Sequence, residues 1–81
     1  MMASSLTEHQ LRDAIGLTVE SNPTVVGDWL ADRPGSWGFL AGKAVMACRK
    51  SVGRMLTDHE RRIVWHELWG ALSKLKQDST C

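Results

Sequence analysis

The tightest constraint on this chain is a helix-entry signal written twice. Leu6-Thr7-Glu8-His9-Gln10 and Leu56-Thr57-Asp58-His59-Glu60 each place a threonine where its hydroxyl can accept from the backbone N–H three residues on. Each also places a Gln or Glu at that third position, able to reach back to the threonine's own N–H. In the first copy Leu6 precedes the cap and Leu11 comes after it at the spacing of a hydrophobic staple. With helices opening near residues 8 and 58, the interval between them must be divided by stops. Asn22-Pro23 is one, because proline disfavours helix at the residue before it and suits the first helical position itself. Arg33-Pro34-Gly35 reads as a turn, with Ser36 as the cap of the third helix, and Gly53 reads as its C-cap.

These signals predict an all-α fold, a compact bundle of four helices at about 8–21, 23–32, 36–52 and 58–76. Residues 1–81 form a single domain, with 1–6 and 77–81 as frayed ends. Apolar residues recur at helical spacing within each segment. Helix one presents Leu11, Ala14, Ile15, Thr18 and Val19, and helix two presents Val25, Val26, Trp29 and Leu30. Helix four presents Val64, Trp65, Leu68, Trp69, Leu72 and Leu75 on one arc, with Ile63 on the polar side.

Helix three is the most apolar. At 100 degrees per residue its broad arc holds Trp37, Leu40, Ala41, Ala44, Val45, Ala47, Cys48 and Val52, and a second arc holds Phe39 and Met46. Gly38 and Gly42 fall between the arcs, with Arg49 below them. Interior glycine costs about 1 kcal/mol against alanine, so the pair predicts a neighbouring helix crossing close against that groove. Only a narrow strip is left for water, occupied by Lys43 and Lys50. Helix three is therefore expected at the centre of the bundle, covered on most sides.

Composition narrows the function classes. With 43% hydrophobic and 23% charged residues the chain lies well away from disorder. No apolar run reaches the roughly 20 residues a bilayer needs, so no membrane partner is expected. Met1 to Thr7 lacks the basic and apolar regions of a signal peptide, and Asn22-Pro23-Thr24 carries proline where glycosylation forbids it. Cys48 and Cys81 are not spaced as a disulfide framework. A reducing, cytoplasmic setting is the expectation.

Catalysis is not expected. His59-Glu60 and His66-Glu67 each begin a zinc-protease motif but lack the second histidine one turn on. The two histidines themselves stand seven residues apart, about 10.5 Å of helical rise, too far to share one zinc. Gly35-Ser36-Trp37-Gly38 lacks the spacing of a nucleophile elbow, and Cys48 lies on the buried arc with no histidine placed to activate it. No catalytic residue, metal, cofactor or small-molecule substrate is assigned.

Charge is uneven although the net is only +1. Residues 1–32 set Arg12 against Glu8, Asp13, Glu20, Asp28 and Asp32, a net of minus four. Residues 33–62 set seven cations against Asp58 and Glu60, a net of plus five. Lys43, Lys50, Arg54, Arg61 and Arg62 can line one face, and such a row can meet nucleic-acid phosphates. The alternative is that arginines pair with Asp28, Asp32 or Glu60 and the two halves compensate one another.

Asn22-Pro23, Val26, Trp29, Gly35, the run Gly38-Phe39-Leu40-Ala41-Gly42-Lys43, Met46 and Gly53-Arg54 together form a pattern over about residues 14 to 54. It resembles the C-terminal tail domain of the B subunit of tRNA-dependent amidotransferases and its free-standing YqeY relatives. The resemblance implies a non-catalytic helical module and, for the appended members, one that helps engage tRNA. The chain departs from the family at Met55-Leu56, where Ala and then Asn or Asp are usual, and it carries no amidotransferase catalytic portion. Two partner classes are expected: tRNA or another RNA, from the resemblance and the cations, and a protein partner or a second copy of the chain, from the surplus tryptophans and Ile63.

Overall fold

A computed structural model describes residues 6–79. It is all-α, with α1 at Glu8–Ser21, α2 at Pro23–Leu30, α3 at Ser36–Val52 and α4 at Asp58–Ser79. The element order and both capping boxes agree with the sequence reading. Gln10 N–H donates to Thr7 Oγ1 at 3.1 Å, and Thr7 N–H donates to Gln10 Oε1 at 3.1 Å. At the second entry Glu60 N–H donates to Thr57 Oγ1 at 3.1 Å, and Thr57 N–H donates to Glu60 Oε1 at 2.9 Å.

α3 is the hub and packs against each of the other three helices. α1 runs antiparallel beside it, since Gln10 Nε2 donates to the Ser51 carbonyl at 3.4 Å while Leu17 and Thr18 lie beside Lys43 and Ala47. The core takes Leu11 and Ile15 from α1, Val26 and Trp29 from α2, Leu40, Ala44, Cys48 and Val52 from α3, and Val64, Leu68 and Leu72 from α4. Five of these, Leu40, Cys48, Val64, Leu68 and Leu72, are fully enclosed. Burying an aliphatic side chain of this size stabilises the fold by about 1.5–3 kcal/mol. Thr18, the buried polar member of α1, donates its hydroxyl to the Ala14 carbonyl at 2.8 Å.

Several boundaries differ from expectation for identifiable reasons. α2 stops at Leu30, because Asp32 adopts a left-handed backbone with φ 59. The Arg33 N–H then donates to the Asp28 carbonyl at 2.9 Å and the Asp32 N–H to the Trp29 carbonyl at 3.0 Å, the paired bonds of a Schellman closure. Ser36 is not the cap of α3. Gly35 holds that place with φ 87, and Ser36 is the first helical residue, its hydroxyl donating to the Arg33 carbonyl at 2.7 Å. α4 continues past residue 76 to Ser79, so residues 77–79 are helical rather than frayed. Leu6 is half-buried against the core, as its stapling role requires, while residues 1–5, 80 and 81, Cys81 among them, lie outside the described residues. Gly53 does end α3, at φ 77 with its N–H donating to the Arg49 carbonyl at 2.9 Å. No helix among the described residues is long and apolar enough to cross a membrane.

Candidate binding face on α3

The two arcs of α3 have different fates. The broad arc is inside, as read from the sequence. The second is not: Phe39 is 46% exposed and Met46 60% exposed, so the helix is covered on one side only. The strip open to water is accordingly wide, holding Gly38, Phe39, Gly42, Lys43, Met46, Arg49 and Lys50. The expected close helix crossing at the glycines is also absent. A Cβ placed at Gly38 or Gly42 would meet nothing within 4 Å. What lies over them is an open groove of about 420 Å³ between α3 and α4, walled by Trp37, Val45, Arg61 and Trp65. Trp65, placed on the apolar arc of α4 by periodicity, is 41% exposed on that wall.

The five cations assigned from sequence divide into two sets. Arg54 is committed to Glu60 by a two-pronged pair, Nη1 to Oε1 and Nη2 to Oε2, each at 2.8 Å, and Nη1 also donates to the Met55 carbonyl at 2.9 Å. The guanidinium, the Thr57 N–H and the Leu6 backbone together hold the Glu60 carboxyl down to about 2, and the carboxylate holds Arg54 more firmly protonated. Such geometry is specific to arginine and buckles the α3–α4 turn. Arg61 pairs with Asp58 one turn back. Lys43, Lys50 and Arg62 are exposed and form no ion pair among the described residues. Lys43 instead rests its ammonium over the Phe39 ring, 5.4 Å from the centroid.

Sequence reasoning missed Arg49, which is exposed, without an ion pair among the described residues, and one residue from Lys50. Arg49, Lys50, Met46, Gly53, Arg54 and Met55 line a notch at the C-terminal end of α3. α3 contains no acidic residue at all in its 17 positions, so nothing in the helix itself offsets these charges. The signal was present in the sequence as an acid-free helix, and the expected burial of Phe39 and Met46 obscured it.

The remaining chemistry-bearing side chains are inert or solvated. Burial, with Glu60 adding to it, pushes the Cys48 thiol up to about 11, so it is protonated at neutral pH. His59 and His66 are exposed on α4. Among the described residues no three His, Cys, Asp or Glu side chains converge as a metal site.

A second concave region lies where Trp29, Trp37 and Trp69 meet beside the α2–α3 turn. Trp69, on the apolar arc of α4, is 53% exposed there. Comparison with known proteins adds no relative: no family model, no curated protein and no solved structure matches the chain.

Proposed function

We propose that the chain is a non-catalytic helical binding module that engages a protein partner through the outer face of α3 and the α3–α4 groove. The observation that carries this reading is the groove floored by Gly38 and Gly42, open above both and walled by exposed Trp65. Two interior glycines each cost a helix about 1 kcal/mol, and no neighbour among the described residues uses the space they leave. The rim supplies exposed Phe39 and Met46 as apolar anchors, with Lys43, Arg49 and Lys50 as flanking charge. Apolar anchors surrounded by cations suit an amphipathic acidic segment laid along the groove. A second copy using the same face is disfavoured, because a two-fold contact would set these cations against themselves.

RNA is the second reading, supported by the acid-free α3, by the three cations it exposes, and by the resemblance over residues 14 to 54. Pairing of Arg54 and Arg61 with carboxylates reduces the phosphate-facing set from which it began.

A photo-crosslinking residue at position 46, with a control at position 20 on α1, separates the readings in the cell. The protein reading expects a discrete protease-sensitive adduct from position 46 only, lost in the Lys43→Glu/Lys50→Glu variant. An RNase-sensitive adduct would transfer the face to RNA, with steep salt dependence of tRNA binding as the corroborating sign. Equal labelling from both positions would refute a specific face.

A further inference from the structure

Trp29 from α2, Trp37 from α3 and Trp69 from α4 converge beside the α2–α3 turn, in a cleft that adjoins the proposed groove and shares Trp37 with it. Trp69 meets each of the others edge-on, with centroids 5.3 Å apart and interplanar angles of 89° and 80°. Indole faces are thus turned in more than one direction around a cavity of about 640 Å³. Its polar side includes Asp32, the residue that closes α2, and Arg33, whose guanidinium is turned to Asp28 at 3.6 Å. Glycine takes φ 59 at such a position without strain, whereas an aspartate there gives up some stability to hold its carboxylate at the rim. That carboxylate is 81% exposed.

The cavity already holds a cation. Lys76 places its ammonium 5.5 Å from the Trp29 centroid and 3.0 Å from Asp32 Oδ1. A π face on one side and a carboxylate on the other are what a positive group needs once it leaves water. A primary ammonium keeps three N–H donors and a strong hydration shell, so this aromatic site suits it imperfectly. An ammonium whose hydrogens are replaced by methyl groups is weakly hydrated, apolar at its surface and still charged. Perpendicular indoles with the Asp32 carboxylate beside them match that chemistry better.

We propose that this cleft is a binding site for a methylated or quaternary ammonium group, with the chain's own Lys76 as a displaceable occupant. Lys76 sits on a flexible stem near the end of α4, so its head can swing to solvent when the ligand enters. Its pairing with Asp32 is partly exposed and weak, as surface ion pairs are.

The four indole N–H resonances of the full chain, one per tryptophan, report the site directly. Titration with choline is expected to shift Trp29, Trp37 and Trp69 saturably and leave Trp65, which does not line the cleft, unmoved. Its neutral isostere 3,3-dimethylbutan-1-ol is expected to shift none of them. Lys76→Ala should tighten choline binding by roughly three- to tenfold, because an internal competitor leaves the site open only part of the time. Asp32→Asn, a residue that tolerates the left-handed backbone, should weaken it by a similar factor. A trimethyllysine peptide in a parallel titration distinguishes the source: tighter binding than choline assigns a modified protein side chain, and weaker binding assigns a small molecule. Absence of saturable shifts in both the parent chain and Lys76→Ala, equal shifts with the neutral isostere, or weaker binding in Lys76→Ala would each overturn the assignment.

Discussion

The two sides of α3 show how differently one helix can treat the same kind of residue. On the inner side Leu40, Ala44 and Cys48 are wholly enclosed, and on the outer side Phe39 and Met46 stand open to solvent. Inward positions join the single core that α3 shares with α1, α2 and α4. Among the described residues no helix covers the outward positions, and there the charged residues are all of one sign. The contrast teaches that the inner side carries the fold, while the outer side lies open to solvent.

The strongest way to break this comparison is at the inner side. Leu40→Ala should destabilise the chain by about 3 kcal/mol in chemical denaturation, since a wholly enclosed leucine leaves a cavity. A loss below about 1 kcal/mol would mean that the inner side is not the core.

A smaller effect is expected at the turn that joins α3 to α4. Because the Glu60 carboxyl is held down to about 2, below its ordinary value, its contribution is present above about pH 4.5 and is lost as pH falls toward 2. Stability should therefore decline across that window, and Glu60→Gln should flatten the decline while lowering stability at neutral pH. The first capping box makes a useful contrast, because Gln10 performs the same reach-back without a titrating group. If Glu60→Gln left the acid profile unchanged, the Arg54–Glu60 buckle would not be contributing.

The smallest effect belongs to the outer side. Phe39→Gln/Met46→Gln should change stability by no more than about 0.5 kcal/mol, as substitutions at exposed positions generally do. The same variant should lose the crosslinked adduct from the α3 face, with the crosslinker then carried at Gly42. Loss of stability comparable to Leu40→Ala would turn the outer side into core and remove the binding reading.

Much of the fold was legible because its determinants are local. Thr7 with Gln10, Thr57 with Glu60, Pro23 and Gly53 each act on residues within one turn, and each acts as the sequence indicates. Asp32 was not legible, since a left-handed aspartate has no distinctive neighbour pattern and a glycine would have announced the stop. Periodicity located both apolar arcs of α3 but contains no information on whether a helix lies opposite each one. Phe39 and Met46, expected under cover, stand exposed for that reason. Of the cations read from sequence, Lys43 and Lys50 are exposed on α3 and Arg62 is exposed on α4. Arg54 is paired instead, because Glu60 lies within reach across a turn. The tryptophan cleft assembles from three helices separated in the chain, so only the packing could reveal it.

The claim that the outer side of α3 serves binding and not the fold is tested most directly by equilibrium unfolding of Gly38→Ala/Gly42→Ala. With open space over both positions, each alanine gains helix propensity at no steric cost. The pair should raise stability by about 1–2 kcal/mol. A double variant that is less stable than the parent chain would show that the glycines are needed by the fold itself, and would contradict the account.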